Sequence, residues 1–121
     1  MEAVWLSAGS RGDSMVITVR GDLDIVTSPQ LDEQLAKVQQ THNRIIIDLS
    51  GVDFLDTSAL AVIVGHWKKI EAAGGMLALA GARYRYTKTL WITGLADRLT
   101  LYDSVQQGVT AQAKAAPEHS L

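Results

Sequence analysis

The chain has 121 residues, of which 47% are hydrophobic and 20% charged, and its formal net charge is −2. This length and composition predict one globular domain and exclude a disordered chain. The small negative charge argues against nucleic acid as a partner, and the absence of cysteine excludes disulfides and thiolate chemistry. Because the N-terminal residues do not resemble a signal peptide and the longest apolar run is only residues 59–64, we expect a cytoplasmic protein that does not enter the membrane.

The beginning of the chain predicts a β-hairpin. Residues 3–6 are apolar, residues 7–14 contain two glycines and are expected to turn, and residues 15–20 show the two-residue period of a strand. The segment Gly21–Asp24 is expected to end this second strand.

A helix is predicted to follow the hairpin. Ser28 supplies a capping hydroxyl, and Pro29 supplies a backbone that is already fixed at a helical φ. Leu31, Leu35 and Val38 then fall on one face at helical spacing, which predicts that this face packs against the core.

The centre of the chain predicts a buried strand and a second helix. Residues 44–49 read RIIIDL, a run that suits a strand covered on both faces, and residues 50–53 are expected to turn the chain. Asp56, Thr57 or Ser58 is then expected to cap the helix. The predicted buried stripe of this helix is Leu60, Ile63, Val64, Trp67 and Ile70. His66 falls outside that stripe and is expected to be exposed, and two glycines end the helix.

The remaining elements are shorter. Residues 76–80 predict a strand, residues 86–94 a helix and residues 100–102 an edge strand, and a last helix is expected to begin at Asp103 or Ser104. Strands that alternate with helices in this way require mostly parallel neighbours.

The sequence therefore predicts a single α/β domain. Its sheet is expected to be mixed and largely parallel, with about five strands covered by about four helices. The domain is expected to span residues 1–110, and residues 111–121 are expected to form a disordered tail.

The densest group of polar side chains follows the central strand. Three carboxylates and three hydroxyls lie close together in the sequence: Asp48, Ser50, Asp53, Asp56, Thr57 and Ser58. In open α/β sheets, ligands bind at the carboxyl ends of the strands. A phosphate on a hydroxyl in the first turn of the next helix would face free N–H groups and the positive end of the helix dipole. The alternative is that these residues only cap and pack the helix.

Other chemistries have weaker support. A magnesium site would need paired carboxylates and a lysine after a late strand, but Asp22 and Asp24 have the wrong spacing and no such lysine occurs. No nucleotide-binding glycine motif is present. His42, His66 and His119 lack the spacing of a catalytic or metal-binding set. The sequence therefore predicts neither a metal nor a cofactor.

Four segments carry a more specific pattern. They are residues 21–29, which begin with GDLD; residues 46–60, IIDLSGVDFLDTSAL; residues 74–80, GGMLALA; and residues 90–104, which contain LWITGL and LTLYDS. In this order they resemble the STAS domain family and, within it, the bacterial anti-sigma factor antagonists. The resemblance covers residues 3–109.

This resemblance implies a regulator that is not an enzyme and needs no cofactor. Such a protein binds an anti-sigma factor that is also a serine kinase of the histidine-kinase-like ATPase fold, and this binding frees the sigma factor. The kinase phosphorylates the antagonist, which dissociates, and a metal-dependent serine/threonine phosphatase resets it. The resemblance implies Ser58 as the acceptor in this chain, with Thr57 as the second choice.

The resemblance also implies a partner-binding surface. It comprises Asp22, Asp24, Asp53, Asp56, Thr57, Ser58, Ala59 and Leu60. The family usually has glycine at the position of Ala59, and the added methyl group is expected to obstruct close docking.

Three further possibilities stay open. The second interpretation, after the antagonist, is a STAS accessory or scaffold module of a stress-signalling complex or of a lipid or anion transporter. A small hydrolase that uses Ser58 with a distant histidine is the enzymatic alternative. Apolar residues near Trp5, on the predicted edge strand, allow either a monomer or a weak dimer.

Overall fold

The chain forms a five-stranded sheet with helices on both faces. The computed structural model describes residues 4–115. The strands are β1 (Val4–Arg11), β2 (Ser14–Leu23), β3 (Arg44–Leu55), β4 (Met76–Ala80) and β5 (Thr100–Tyr102). The helices are α1 (Ser28–Gln39), α2 (Thr57–Ala72), α3 (Thr89–Ile92) and α4 (Val105–Lys114), with a 3₁₀ turn at Leu95–Asp97.

The strands lie side by side in chain order. β1 is antiparallel to β2, and every later pair of neighbours is parallel. This arrangement confirms the predicted α/β class and the largely parallel sheet. It also brings the last residues of β2, β3, β4 and β5 together, and we call this region the carboxyl end of the sheet.

The main core lies between the sheet and the pair α1 and α2. Ile45, Ile47 and Leu49 of β3 point into this core and are fully buried. Ile46 points to the opposite face, where it forms a smaller cluster with α4. Because successive side chains of a strand alternate between faces, both faces of β3 are buried, as its continuous apolar run predicts.

Both central strands are longer than predicted. β2 continues through Leu23, and β3 continues through Leu55 although residues 50–53 carry polar and glycine residues. The two strands remain paired because their register shifts between Thr18 and Arg20 and again between Gly21 and Asp22. Such bulges absorb extra residues without ending the pairing.

The first turn is correspondingly shorter than predicted. β1 pairs with β2 as far as Arg11 and Ser14, so only Gly12 and Asp13 form the turn. Gly12 has φ +60°, a conformation that glycine adopts without strain.

The helix boundaries also differ from the prediction. Ser28 is the first residue of α1, and its hydroxyl caps nothing. α3 has only four residues, and Gly94, with φ +82°, separates it from the 3₁₀ turn. The predicted tail begins too early, since residues 111–114 belong to α4; residues 116–121 and His119 lie outside the described residues.

The end of α4 is held by Gln112, which is buried against the sheet. The Ser14 hydroxyl donates to Gln112 Oε1 at 2.6 Å, and Gln112 Nε2 donates to the Ile45 carbonyl at 3.0 Å. Two hydrogen bonds compensate for the burial of this amide. The polar composition after residue 110 therefore does not mark the end of the fold.

His66 is buried, in contrast to the prediction that it is exposed. Its Nε2 lies 2.6 Å from Asp32 Oδ1, and its Nδ1 bonds to Gln39 Oε1. The ring therefore bridges α2 to α1. The two helices pack side by side, so the buried surface of α2 is wider than the apolar stripe that its sequence indicates.

The outer strand β1 leaves one aromatic ring exposed. Trp5 lies on this edge strand, as predicted, and the Arg20 guanidinium stands 4.9 Å from the centre of its ring. Of the helices in residues 4–115, none is both long enough and apolar enough to cross a membrane.

Candidate functional site

The carboxyl end of the sheet gathers most of the predicted site residues. The Asp56 N–H donates to the Leu23 carbonyl at 3.0 Å, which joins the end of β2 to the start of α2. Asp22 and Asp24 flank this junction on one side, and Asp53 lies near the end of β3 on the other. Four carboxylates therefore share one end of the sheet.

Asp56 is the residue that caps α2. Its Oδ1 accepts hydrogen bonds from the Ser58 N–H at 2.9 Å and from the Ala59 N–H at 3.2 Å. The same oxygen accepts the Ser58 hydroxyl at 2.5 Å. A capping carboxylate in this position satisfies donors that the helix itself leaves free.

Ser58 is the second residue of α2 and is half-buried, so its hydroxyl is held in one direction by Asp56 while it remains in contact with solvent. Thr57, the first residue of the helix, is exposed, and within the described residues its hydroxyl forms no hydrogen bond. The structure thus distinguishes an oriented hydroxyl from a free one.

Asp24 forms a tight turn before α1. Its Oδ1 accepts from the N–H groups of Thr27 and Val26, each at 3.0 Å. The Thr27 hydroxyl donates to the Asp22 carbonyl at 2.6 Å, which closes the same turn. The pKa of Asp24 lies below its usual value, chiefly because the Thr27 N–H stabilises the carboxylate, and partial desolvation opposes this effect.

The remaining carboxylates divide between two places. Asp22 and Asp53 are exposed at the carboxyl end of the sheet. Asp48 lies further back along β3, where its Oδ1 accepts from the Ser50 hydroxyl at 2.7 Å and from the Ser50 N–H at 3.0 Å. Asp48 and Ser50 therefore form a local turn of their own.

Two predicted surface residues belong to the core. Ala59 is fully buried and Leu60 nearly so, and both pack among the apolar residues beneath α2. Their side chains are not available to a partner, and we remove them from the surface. For the same reason, the methyl group of Ala59 is not the obstacle to docking that the sequence suggests.

Several exposed apolar residues at this end were missed in the sequence. Ile25 and Val26, in the loop after β2, are 74% and 77% exposed, and Phe54 near the end of β3 is about half exposed. Residue type alone predicts burial for such side chains. One feature of the sequence could have indicated their exposure. Ile25 and Val26 lie between a predicted strand and a predicted helix, so they fit neither the strand period nor the helix period that would place them in the core.

Ser58 has no histidine beside it in the described part of the chain. His66 lies eight residues further along α2, a rise of about 12 Å, and is engaged by α1. His42 follows α1 and contacts Thr41. Among residues 4–115, no group of three potential ligands is arranged to hold a metal ion.

Comparison with known proteins gives consistent relatives. A family model described as the STAS domain matches residues 7–108. The chain is 30% identical over 100 residues to the anti-sigma F factor antagonist of Paenibacillus polymyxa, covering 79% of this chain and 84% of the relative. It is 34% identical over 86 residues to the anti-sigma-B factor antagonist of Listeria monocytogenes, covering 70% and 75%.

A solved structure has the same fold. The anti-sigma factor antagonist from Mycobacterium paratuberculosis has a TM-score of 0.79 to this chain at 24% identity, and the match covers 92% of this chain and 95% of the other. The two curated relatives are named as regulators, in agreement with the prediction that the chain is not an enzyme. Since the family model covers most of the domain and the curated relatives reach 30% identity or more, the chain belongs to the STAS domain family.

Proposed function

We propose that the chain is an anti-sigma factor antagonist that acts in the cytoplasm by partner switching. Its unphosphorylated form binds an anti-sigma factor that is also a serine kinase of the histidine-kinase-like ATPase fold, and this binding releases the sigma factor. Phosphorylation of Ser58 by the kinase breaks the complex. A metal-dependent serine/threonine phosphatase then removes the phosphate. Family membership and the names of the relatives support this proposal.

The observation that carries the proposal is the environment of Ser58. Its hydroxyl is half-buried, oriented, and placed on the second residue of a helix. A phosphate there adds a charge of about −1.5 to −2 and turns the 2.5 Å hydrogen bond to Asp56 into a repulsion between anions. The N–H groups of Ser58 and Ala59, which Asp56 now occupies, then become donors for the phosphate.

The surroundings explain why a partner would be lost. Asp22 and Asp53 are exposed and Asp24 is half-buried around the same position, so the unmodified surface already attracts a basic partner. A tetrahedral dianion in its centre adds bulk where the two proteins must touch. Direct steric and electrostatic conflict is enough, and no refolding is needed.

A binding and phosphorylation assay tests this proposal. The purified chain is mixed with each purified anti-sigma factor kinase of the source genome and MgATP, and phosphate transfer is located by mass spectrometry. We expect one phosphate on wild type and none on Ser58→Ala. We expect Ser58→Asp to bind the kinase at least 10-fold more weakly, by calorimetry, than wild type.

Thr57→Asp is the matched control, because it adds the same charge one residue away on an exposed side chain. It should weaken binding less than Ser58→Asp does. Phosphate on Thr57, or full binding by Ser58→Asp, would contradict the assignment of Ser58.

A further inference from the structure

The segment that joins β4 to α3 carries an unbalanced positive charge. Residues 82–96 contain Arg83, Arg85 and Lys88 and no carboxylate. None of these three cations forms an ion pair with a carboxylate of the described residues. Arg83 instead stands 4.4 Å from the centre of the Tyr86 ring, and its Nη2 lies 3.4 Å from the Val52 carbonyl.

The same segment exposes a group of large apolar side chains. Tyr84 and Trp91 pack edge to face, with ring centres 5.2 Å apart, yet they are 54% and 37% exposed. Ile92, the next residue, is 74% exposed. Tyrosine, tryptophan and arginine are the residues that dominate protein interfaces. We call Tyr84, Arg85, Lys88, Trp91 and Ile92 the α3 surface.

The α3 surface adjoins the region formed by Asp53, Asp56 and Ser58, which we call the Ser58 site. The Thr89 hydroxyl donates to the Leu55 carbonyl at 2.7 Å, one residue before the cap of α2. Arg85 and Lys88 share with Asp53 and Phe54 a cavity of about 200 Å³ at the end of β3. Two independent contacts thus make the α3 surface continuous with the surface around Ser58.

Strand order fixes the sequence of charges across this end of the sheet. β3 lies between β2 and β4. Asp22 lies at the end of β2 and Asp24 in the loop after it, Ser58 lies in the first turn of the helix after β3, and the segment after β4 carries Arg85 and Lys88. Carboxylates therefore lie at the ends of β2 and β3, where Asp53 and Asp56 accompany the Ser58 hydroxyl, and the cations follow on the side of β4.

We propose that the α3 surface is the second half of the docking site for the anti-sigma factor, and that it binds an acidic and apolar strip of that protein. This inference rests on the proposed function. A partner with a basic strip opposite Asp22 and Asp24 and an acidic strip opposite Arg85 and Lys88 fits in one orientation. The reversed orientation opposes like charges twice, so the order of charges selects how the partner docks.

Two double variants test the inference by calorimetry and stopped-flow binding to the purified anti-sigma factor kinase. Arg85→Glu/Lys88→Glu reverses the charges and should weaken binding at least 10-fold, mainly through slower association, with a reduced dependence on salt. Tyr84→Ser/Ile92→Ser removes exposed apolar groups and should weaken binding at least 10-fold, mainly through faster dissociation.

Lys68→Glu/Lys114→Glu is the matched control. It makes the same change in net charge at exposed positions, and Lys68 lies ten residues beyond Ser58, a rise of about 15 Å along α2. This control should bind within about twofold of wild type, a difference of about 0.4 kcal/mol compared with about 1.4 kcal/mol for a tenfold change. Urea midpoints close to that of wild type establish that each variant is folded.

The outcomes separate this inference from the proposed function. If wild type binds and neither α3-surface variant weakens this binding, the docking role of the α3 surface is overturned. The proposed switch at Ser58 is then unaffected. If only Arg85→Glu/Lys88→Glu weakens binding, the role of the charge order is supported. The role of the apolar side chains Tyr84 and Ile92 is then overturned. Absence of binding by wild type to every anti-sigma factor kinase overturns the proposed function and this inference with it.

Discussion

Asp56 connects the start of α2 to the hydroxyl that we propose as the switch. Replacing it by alanine leaves the N–H groups of Ser58 and Ala59 without their acceptor. We expect Asp56→Ala to lower the free energy of unfolding by about 1 kcal/mol, the usual cost of a lost helix cap. Urea unfolding measures this change.

Asp53→Ala is the control for that experiment. Its carboxylate is exposed, and within the described residues it forms no hydrogen bond. Its effect should stay below about 0.5 kcal/mol, as for most surface substitutions. If both variants lowered the free energy of unfolding equally, the Asp56 cap would contribute no more stability than an exposed carboxylate.

Asp24 gives the protein a defined response to acid. The Thr27 N–H, with further donors in the turn, lowers its pKa in the folded state, so the unfolded chain takes up the proton first. The stabilising contribution is therefore complete above a pH of about 4, near the unfolded pKa, and is lost as the pH falls through the lowered pKa of Asp24.

Asp24→Asn isolates this contribution, because asparagine keeps an acceptor for the turn but carries no charge. We expect wild type to have the higher urea midpoint at pH 7, and the difference to shrink steadily below a pH of about 4. A difference that stays constant down to the most acidic pH at which both proteins fold would show that the charge of Asp24 is not responsible.

At the scale of elements, the contact of α4 with the sheet depends on a glycine. A Cβ at Gly108 would lie 2.9 Å from Ile46 Cδ1 and 3.3 Å from Tyr102 Cδ2, and Ile46 is fully buried. We expect Gly108→Val to lower the free energy of unfolding by about 1–3 kcal/mol, as overpacking does. Thermal or urea unfolding provides the measurement.

Gly65 offers the matched substitution. It also lies inside a helix, but a Cβ there would meet nothing within 4 Å. Because valine and glycine differ little in helix propensity, Gly65→Val should change stability by less than about 0.5 kcal/mol. If Gly108→Val were equally mild, the close approach of α4 would have no energetic consequence.

The order of helices and strands along the chain follows from local sequence, whereas the strand ends do not. The run at 44–49 and the apolar face of α1 predict their elements because the period is regular. The continuation of β3 to Leu55 depends on its partner β2, whose shifts of register keep the two chains paired past Gly51. A Cβ at Gly51 would lie 2.8 Å from Arg20 Cγ, so this glycine allows close pairing and does not break the strand.

In the candidate site, too, some features follow from local sequence and others depend on tertiary packing. Asp56, Thr57 and Ser58 are adjacent in sequence, so their place at a helix start is a local matter. The burial of Ala59 and His66 and the exposure of Trp91 depend on which elements pack against them. These are tertiary effects that residue type cannot indicate.

At the scale of the whole molecule, the net charge conceals an ordered separation of charge. The chain carries 11 basic and 13 acidic residues, which nearly cancel. At the carboxyl end of the sheet the carboxylates follow β2 and β3 and the cations follow β4, and the two groups meet at the cavity that Asp53 shares with Arg85 and Lys88. The weak overall charge thus coexists with a surface that can orient a partner at short range, where screening by salt is least effective.

The small contact of α4 with the sheet has a consequence for how the protein opens. α4 rests on Val16, Ile46 and Ala80 through Val105 and Val109, and its far end is held by Gln112. The opposite face is buried under two long helices. Native-state hydrogen exchange should therefore find that the amides of α4 exchange at a lower free energy than those of β3, in a partial opening that leaves the rest folded.

Such an opening would uncover the apolar side of β3 without unfolding the Ser58 site. Exchange of α4 and β3 amides at the same free energy would show instead that the helix leaves only when the whole domain unfolds. If the partial opening occurs, it exposes the apolar face beneath α4, on the side of the sheet away from α1 and α2. On heating or crowding, two molecules should then first associate through this face.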